Sequence, residues 1–401
     1  MNVIDRFLKY VSFDTESEEE SSSVPSTAKQ KILASYLVEE LSSIGLQNAH
    51  MDENGYVYAF LPANTEAVTP IGFISHMDTS PAVSGRNVKP RIVKYDGTPI
   101  QLNEKVQLSE KDFECLANYK GQDLIVTDGT TLLGADDKAG IAEIMSAMDF
   151  FVQHPEIRHG RISVAFTPDE EIGRGTDHFD IPKFNAEYAY TVDGGTLGEI
   201  EYENFNAATA KITVNGLSTH PGSAKNKMKN AVRIAAEFIS ALPYAETPEM
   251  TEGYEGFYHV DEIKGDVSLA KFTMIIRDHD MAKFEERKKA VAELTMRMNE
   301  KYGSGTVETI ITDSYYNMKE KILPVLHIIE NAENAMREVG VEPRIMAIRG
   351  GTDGARLSFE GLPCPNLSTG GENFHGIHEF VSVPAMIKMV EVLVTIAKNV
   401  S

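Results

Sequence analysis

The stretch "ISVAFTPDEEIGRGT", residues 162–176, runs from a strand pattern directly into three consecutive acids. Ile162, Val164 and Phe166 alternate along it, which is typical of a strand with one buried face. Pro168 then disfavours further strand pairing, so the acids are expected on a loop at the edge of a sheet. An isolated acidic triplet is usually a solvated loop. Such a triplet has a chemical role only where cations neutralise its charge. Whether it does so here depends on whether other segments of the chain supply cation ligands.

Three other segments place acids or a histidine at the same kind of position. "HMD" follows the apolar run "IGFIS" (71–75), "DGG" follows "YAYTV" (188–192), and "GADDKAG" leads into a helical pattern at 139–153. The alternation of helical and strand patterns predicts an α/β architecture, in which sites lie at the carboxyl ends of strands. The loops therefore predict one shared site, with the candidate residues His76, Asp78, Asp136, Glu170, Glu171 and Asp193, and a late histidine, His378.

The residue types at this predicted site indicate a metal centre. Mixed histidine and carboxylate ligands suit Zn²⁺, and also Co²⁺ or Mn²⁺, whereas an all-oxygen set favours Mg²⁺ or Ca²⁺. A bridging carboxylate holds two such ions roughly 3.5 to 4 Å apart in hydrolytic sites. Adjacent glutamates can then divide the work, with one as a metal ligand and the next as a general base.

A second pattern occupies residues 207–314. Strands and helices follow one another there as βαββαβ, the ferredoxin-like arrangement. A chain of 401 residues also exceeds what one hydrophobic core usually supports. We therefore predict one domain formed by residues 1–204 and 316–401, and a second domain, residues 205–315, inserted into it. Residues 15–27, "TESEEESSSVPST", are low in complexity and predict a surface loop.

Composition excludes several classes of partner. The formal net charge is −22, which argues against nucleic acid and anionic membranes. No apolar run of about 18 residues is present to span a bilayer. The N-terminus lacks a secretory pattern, and the only cysteines, Cys115 and Cys364, are too few for a disulfide framework. We therefore expect a cytoplasmic protein.

Nine motifs together resemble the peptidase T family of tripeptide aminopeptidases. They are "HMDTSPA", "LLGADDKAGIAEIM", "AFTPDEEIGRGTDHFD", "YTVDGG", "STHPGSAK", "MTEGYEGFYH", "DSYYNMKEK", "IRGGTDGA" and "TGGENFHGIHEF". This family is one of the co-catalytic di-zinc metallopeptidases, which also include succinyl-diaminopimelate desuccinylase and glutamate carboxypeptidase. The resemblance runs from the first helix to about residue 395. It implies an α/β catalytic domain, with a mixed sheet flanked by helices, and an inserted ferredoxin-like lid domain.

The resemblance also implies a role for each site residue. Asp136 would bridge two Zn²⁺ ions per subunit, His76 and Asp193 would complete one site, and Glu171 and His378 the other. The "HEF" context selects His378 over His375. Glu170 would be the general base, Asp78 would orient the His76 ring, His220 would stabilise the oxyanion, and Arg277 would receive the substrate's carboxylate.

Two alternatives to a tripeptide aminopeptidase remain open. The first is another hydrolase of the same fold, such as a dipeptidase, a carboxypeptidase or an amide deacylase. The second is a metal-dependent peptide-binding protein without turnover, which the presence of Glu170 and Asp78 disfavours. The expected partners are small peptides, and related lid domains suggest a homodimer.

Overall fold

The structure is a computed structural model that describes residues 1–66 and 69–400. The chain forms two compact units. Unit 1 comprises Met1–Tyr202, Glu320–Met346 and the chain from Thr352 onward, and unit 2 comprises Glu203–Lys319 and Ala347–Gly351. In the described part of the chain, no helix has the length and apolar character needed to cross a membrane.

The segment Ala347–Gly351 is where the division differs most from the predicted domains, which placed it in the range 316–401. Arg277 donates from Nη1 to the carbonyl of Arg349 at 2.9 Å, and His279 donates from Nε2 to that of Ile348 at 3.1 Å. Arg349 itself donates to the carbonyls of Gly253 and Glu255. These bonds hold the segment within unit 2, and no local sequence pattern predicts them.

Unit 1 has helices both before and after the segment of the chain that forms most of unit 2. They are α1 (Val3–Tyr10), α2 (Gln30–Ile44), α3 (Ala135–Gln153), α4 (Ile181–Phe184), α7 (Lys319–Ile322), α8 (His327–Glu338), α9 (Asp353–Phe359) and α10 (Val383–Asn399). Gly45 ends α2 in the left-handed conformation, with φ of 111°, which glycine adopts readily.

The main sheet of unit 1 is mixed. Its order is β1 (Gln47–Met51), β2 (Val57–Leu61), β8 (Ile162–Thr167), β3 (Ile71–His76), β9 (Tyr188–Gly194), β16 (Asn366–Ser368), β10 (Glu199–Asn204) and β15 (Arg344–Ile348). The central strands β8, β3, β9 and β16 pair in parallel. Their carboxyl ends therefore meet at one edge, which brings together the loops that follow them. This is the mixed sheet with flanking helices that the sequence predicted.

Helix α3 packs directly on this sheet because of one glycine. A Cβ at Gly140 would lie 1.9 Å from the carbonyl oxygen of Val192 and 2.5 Å from the hydroxyl of Ser75. Only a residue without a side chain allows the helix to approach β3 and β9 so closely. The first turn of α3 carries Asp136, so this approach sets the position of that carboxylate.

A second, smaller sheet in unit 1 was not predicted. Its order is β17 (Gly371–Glu372), β18 (Phe380–Ser382), β7 (Asp123–Val126) and β4 (Arg91–Lys94), and β5 (Ile100–Gln101) pairs with β6 (Gln107–Leu108) beside it. Tyr95, Leu108 and Leu116 are among the apolar residues that form its core with Phe380. The short strands and distant pairing partners explain why periodicity missed it.

Unit 2 is the predicted βαββαβ domain. It contains β11 (Asn206–Asn215), α5 (Ala231–Ser240), β12 (Phe257–Gly265), β13 (Leu269–Asp278), α6 (Met281–Tyr302) and β14 (Val307–Tyr315). The strands pair antiparallel in the order β12, β13, β11, β14. Buried residues from the sheet and both helices form one core, including Ile212, Phe238, Phe272 and Leu294. The predicted ferredoxin-like arrangement is confirmed.

Candidate metal centre

His76 is the last residue of β3 and is buried, with 2% of its side chain exposed. Its Nδ1 lies 3.1 Å from the backbone carbonyl of Asp78, and since a carbonyl only accepts, Nδ1 carries the proton. With Nδ1 bonded in this way, the ring would coordinate a metal through Nε2, the arrangement that metal-binding histidines adopt. Nε2 lies 2.8 Å from Asp136 Oδ1 and 3.4 Å from Asp193 Oδ1.

Asp136 lies between two histidines. While Oδ1 faces His76, Oδ2 lies 3.1 Å from Nε2 of His375. His375 Nε2 also lies 2.9 Å from Glu171 Oε2. The two oxygens of one carboxylate thus face two separate sets of ligand atoms, as a bridging residue requires.

The structure does not place His378 in this group, contrary to the prediction. Its ring packs against Phe113, with 4.9 Å between the ring centroids, and His375 occupies the predicted position beside Glu171 and Asp136. Asn373 and His375 both have positive φ values, 58° and 61°, so the chain turns tightly here. The apolar partner of His378 comes from the small sheet's region, which the sequence left unassigned.

The acidic loop after β8 is built around two further carboxylates. Asp169, with φ of 60°, precedes a single turn of 3₁₀-helix, Glu170–Ile172. Its carboxylate accepts hydrogen bonds from the Ser26 amide at 2.6 Å and from Gln30 Nε2 at 2.6 Å. The Asp78 carboxylate accepts from the backbone amides of Glu170 at 3.0 Å and Glu171 at 3.2 Å.

Asp78 therefore positions the two glutamates as well as His76. Its Oδ1 lies 3.4 Å from His76 Nδ1, farther than its own carbonyl oxygen. Both the backbone carbonyl and the carboxylate of Asp78 therefore lie near His76 Nδ1, where either can orient the ring. The amide bonds to Glu170 and Glu171 are a second task that the spacing of the motifs did not reveal.

Glu170 and Glu171 have different surroundings. Glu171 is 4% exposed, and its Oε1 is buried with no hydrogen-bond partner among the described residues. Glu170 is 16% exposed, and its Oε2 lies 4.0 Å from His76 Nε2. Glu171 is thus held among the candidate ligands, whereas the Glu170 carboxylate is left available.

Asp193, at the end of β9, contributes Oδ1 to the group around His76. Asp137 also lies within ligand distance of His76 and Asp193. However, its Oδ2 accepts hydrogen bonds from the Ser75 hydroxyl and from the His76 amide, so it supports the backbone of β3. Asp137 is thus engaged in supporting contacts with β3.

Glu379 is a residue of the centre that sequence reasoning missed. It is 1% exposed, and its carboxylate accepts from the amides of Leu133 at 2.6 Å, Gly134 at 2.9 Å and Asp136 at 3.1 Å. These bonds fix the loop that carries Asp136. The "HEF" motif contains Glu379, but nothing in the motif itself indicates bonds to distant backbone amides.

The pKa shifts reflect crowded charge. Burial raises the pKa of Glu171 to about 7 and that of Asp193 to about 6, and it raises the pKa of Glu170 well above its usual value. Hydrogen bonds to Asp136 and Glu171 raise the pKa of His375 to about 10. Carboxylates packed this way repel one another, and a bound cation would relieve that repulsion.

The donor set fits divalent metal ions. Ligand atoms of His76, Asp136 and Glu171 all lie within 4.8 Å of one another. The buried Glu171 Oε1 lacks a protein partner, and the Nδ1 proton of His76 leaves its Nε2 for coordination. Buried polar atoms are rarely left unpaired, and a metal ion bound here would supply the missing partner.

His220, in unit 2, begins a turn at Pro221–Ser223 and is exposed. Its Nδ1 accepts a hydrogen bond from the Gly222 amide at 3.1 Å. The proton of the neutral ring is therefore on Nε2, which makes Nε2 a hydrogen-bond donor. This is the tautomer that an oxyanion-stabilising histidine needs.

Arg277 lies near the end of β13 in unit 2. Its guanidinium is half-buried over the ring of Phe257, 5.8 Å from the centroid, and donates to the Arg349 carbonyl. Within the described residues, its Nε has no hydrogen-bond partner. These contacts hold the side chain in place.

The known proteins most useful for comparison with this chain are peptidases. The profile of the peptidase dimerisation domain matches residues 202–306. Peptidase T of Clostridium acetobutylicum is 58% identical over 400 residues, covering 99% of this chain and 98% of that protein.

Two solved structures have the same fold. Aminopeptidase PepT from Bacillus cereus superposes with a TM-score of 0.78 at 25% identity, covering 100% of this chain and 98% of its own. A tripeptidase from Staphylococcus aureus gives a TM-score of 0.80 at 22% identity, with the same coverage.

Proposed function

The chain belongs to the peptidase T family, and from this membership we propose that it is a metal-dependent tripeptide aminopeptidase. In this reaction the first residue is released from a tripeptide. The observation that carries the proposal is Asp136, whose two oxygens face His76 on one side and His375 with Glu171 on the other. That geometry suits a pair of metal ions at a hydrolytic site.

Two Zn²⁺ ions are proposed as the cofactor, since histidine and carboxylate ligands favour zinc and also accept Co²⁺ or Mn²⁺. His76 and Asp193 would hold one ion, Glu171 and His375 would hold the other, and Asp136 would contact both. When bound, the pair supplies Lewis acidity for activating water and polarising the peptide carbonyl.

Glu170 is the proposed general base. Its carboxylate is only 16% exposed and is not engaged by the other candidate ligands at hydrogen-bond distance. It takes a proton from the attacking water at its own carboxylate and passes that proton to the amine that leaves. Asp78 fixes the backbone of Glu170 by accepting a hydrogen bond from its amide.

Unit 2 is proposed to supply two substrate contacts. His220 donates from Nε2 to the oxygen that becomes negative during attack, which is where a preorganised donor accelerates acyl transfer most. Arg277 receives the substrate's terminal carboxylate. Its contact with Arg349 holds the guanidinium ready for that ion pair.

The function is tested with a panel of peptides. Zinc-loaded enzyme should release alanine from Ala-Ala-Ala much faster than from Ala-Ala or Ala-Ala-Ala-Ala, and a chelator should abolish the activity until zinc is restored. Preference for the dipeptide, or release of the C-terminal residue first, would favour the dipeptidase or carboxypeptidase alternative. Absence of any turnover would favour the binding protein.

The same panel tests Arg277. The unmodified enzyme should prefer Ala-Ala-Ala over its C-terminal amide by about 10- to 100-fold, the range for a hydrogen bond to a charged group. Arg277→Met should lose most of this preference while zinc content stays constant. In the His220→Ala variant, kcat should fall and the preference should persist. Equal hydrolysis of acid and amide by the unmodified enzyme would show that Arg277 has another role.

The two late histidines can be distinguished directly. His375→Ala should bind clearly fewer than two zinc ions, because Nε2 of His375 lies beside Asp136 and Glu171. His378→Ala should retain both ions, since its ring packs on Phe113 instead. Metal analysis of the two purified variants decides the matter, and zinc loss only in the His378 variant would restore the original assignment.

A homodimer is also proposed, on the match of residues 202–306 to the peptidase dimerisation domain. Light scattering on the purified protein should give twice the mass of the chain, and a monomeric mass at micromolar concentration would contradict the proposal.

A further inference from the structure

An acidic cavity lies beside the metal centre, wholly within unit 1. Its volume is about 740 Å³, and its wall includes Glu171 and His375 together with Glu16, Glu18, Glu19 and Glu20. Lys29 also lines it, but the Lys29 ammonium is paired with Asp14 at 2.8 Å. The cavity therefore presents a concentration of negative charge next to the candidate metal ligands.

The acidic segment is an ordered part of the site, although the sequence predicted only a surface loop. The amide of Ser17 donates to the Thr79 carbonyl at 3.1 Å, and the amide of Thr79 donates to the Thr15 carbonyl at 3.3 Å. These bonds fix the backbone on both sides of Glu16 to the residue that follows Asp78. The Thr27 hydroxyl also donates to the Glu16 carbonyl at 2.8 Å.

The other end of the segment is tied to the loop that carries Glu170 and Glu171. Arg174 donates from Nη1 to the Ser21 carbonyl at 2.6 Å and from Nη2 to the Glu19 carbonyl at 2.7 Å. Asp169 holds Ser26 through the bonds described above. The acidic wall and the catalytic loop are therefore one hydrogen-bonded assembly.

A substrate's free amine must bind very near the metal ions. In an aminopeptidase substrate, two bonds of about 1.46 and 1.52 Å separate the α-nitrogen from the carbonyl carbon that is attacked. A receptor for the amine must therefore lie beside the ligands that hold the reacting carbonyl. The cavity meets this condition, since its wall contains the nearly buried Glu171, whose Oε1 has no protein partner within the described chain.

We propose that Glu16 binds the α-ammonium group of the peptide substrate, and that Glu18, Glu19 and Glu20 supply a surrounding negative field. Glu16 is half-buried on a fixed backbone, whereas the other three are exposed. Within residues 1–66 and 69–400, no hydrogen bond or ion pair engages the Glu16 carboxylate. A partly buried carboxylate is screened less by salt than an exposed one, so Glu16 should contribute most. This inference rests on the proposed aminopeptidase function.

The test compares a substrate with an analogue that lacks only the amine. Glu16→Gln should raise KM for Ala-Ala-Ala by roughly 10- to 100-fold, the range for a charge-assisted hydrogen bond, while kcat and zinc content change little. The inhibition constant of propionyl-Ala-Ala, which has no amine, should be the same for the variant and the unmodified enzyme. Glu39→Gln is the matched control, because it removes an exposed charge from α2 away from the cavity and should change neither value.

Each other outcome has a definite meaning. An unchanged KM for Glu16→Gln, or a parallel rise in the inhibition constant of propionyl-Ala-Ala, would overturn the role of Glu16 and leave the aminopeptidase function standing. A larger effect from the combined Glu18→Gln, Glu19→Gln and Glu20→Gln variant would also overturn it. If the unmodified zinc enzyme did not hydrolyse Ala-Ala-Ala, the proposed function would fail, and this inference would fail with it.

Discussion

Replacing Glu170 with glutamine should lower kcat by roughly 10² to 10⁴ or more, because the amide keeps the shape of the side chain but cannot accept a proton. The zinc content should stay at two ions per chain. Structurally, this follows from the separation of Glu170 from Glu171: Glu171 Oε2 lies 2.9 Å from His375, whereas the Glu170 carboxylate comes only within 4.0 Å of His76. Steady-state kinetics with Ala-Ala-Ala and metal analysis on one preparation provide both readouts.

Glu171→Gln is the matched comparison for this result. It changes the neighbouring residue of the same helical turn by the same chemistry, and it should lower zinc content first and activity as a consequence. Excess zinc should therefore restore part of the activity of Glu171→Gln and none of that of Glu170→Gln. The opposite pattern, with metal loss in Glu170→Gln and normal metal content in Glu171→Gln, would exchange the two roles.

The parts of the fold that could be predicted are those with strong local periodicity. The apolar runs at 71–75 and 188–192 lie within β3 and β9, and the second helix of the predicted βαββαβ order is α6. In such segments the burial of one face repeats at a fixed interval, so the sequence alone carries the information. The small sheet has no such pattern, since its strands are two to four residues long and one of its pairings, that of Phe380 with Val126, joins residues more than 200 positions apart.

In the candidate site, too, some features follow from the predicted architecture and others depend on distant parts of the chain. His76 and Asp193 lie at the ends of β3 and β9, and Glu170 and Glu171 follow β8. The parallel pairing of these strands brings their ends together, so the proximity of the four residues follows from the predicted architecture. The choice of His375 over His378 does not follow from it, because it depends on a tight turn and on Phe113, a distant partner. The role of Glu379 could not be predicted for a related reason. Its carboxylate accepts hydrogen bonds from three backbone amides of the loop at 133–136, and a sequence motif gives no information about such bonds.

Removing the carboxylate of Asp136 should damage both metal sites at once. Asp136→Ala should bind clearly fewer than two zinc ions, lose nearly all activity, and gain less thermal stability on zinc addition than the unmodified enzyme. A ligand that binds only the folded state stabilises it in proportion to RT ln(1 + [L]/Kd), so weaker binding appears directly as a smaller rise in Tm. Metal analysis and thermal unfolding, each with and without added zinc, measure the two effects.

Asp136→Asn distinguishes a bridging carboxylate from a ligand of one site only. In the structure, Oδ1 lies 2.8 Å from His76 Nε2 and Oδ2 lies 3.1 Å from His375 Nε2, so each oxygen serves a different side. An amide has the same shape but only one oxygen to offer, and its NH₂ group cannot coordinate a cation. If Asp136 bridges two ions, Asp136→Asn should therefore bind about one zinc ion, because the single remaining oxygen completes the ligand set on one side only. Retention of two tightly bound ions by both Asp136→Asn and Asp136→Ala would refute the bridge and leave His76 and His375 to anchor two independent sites.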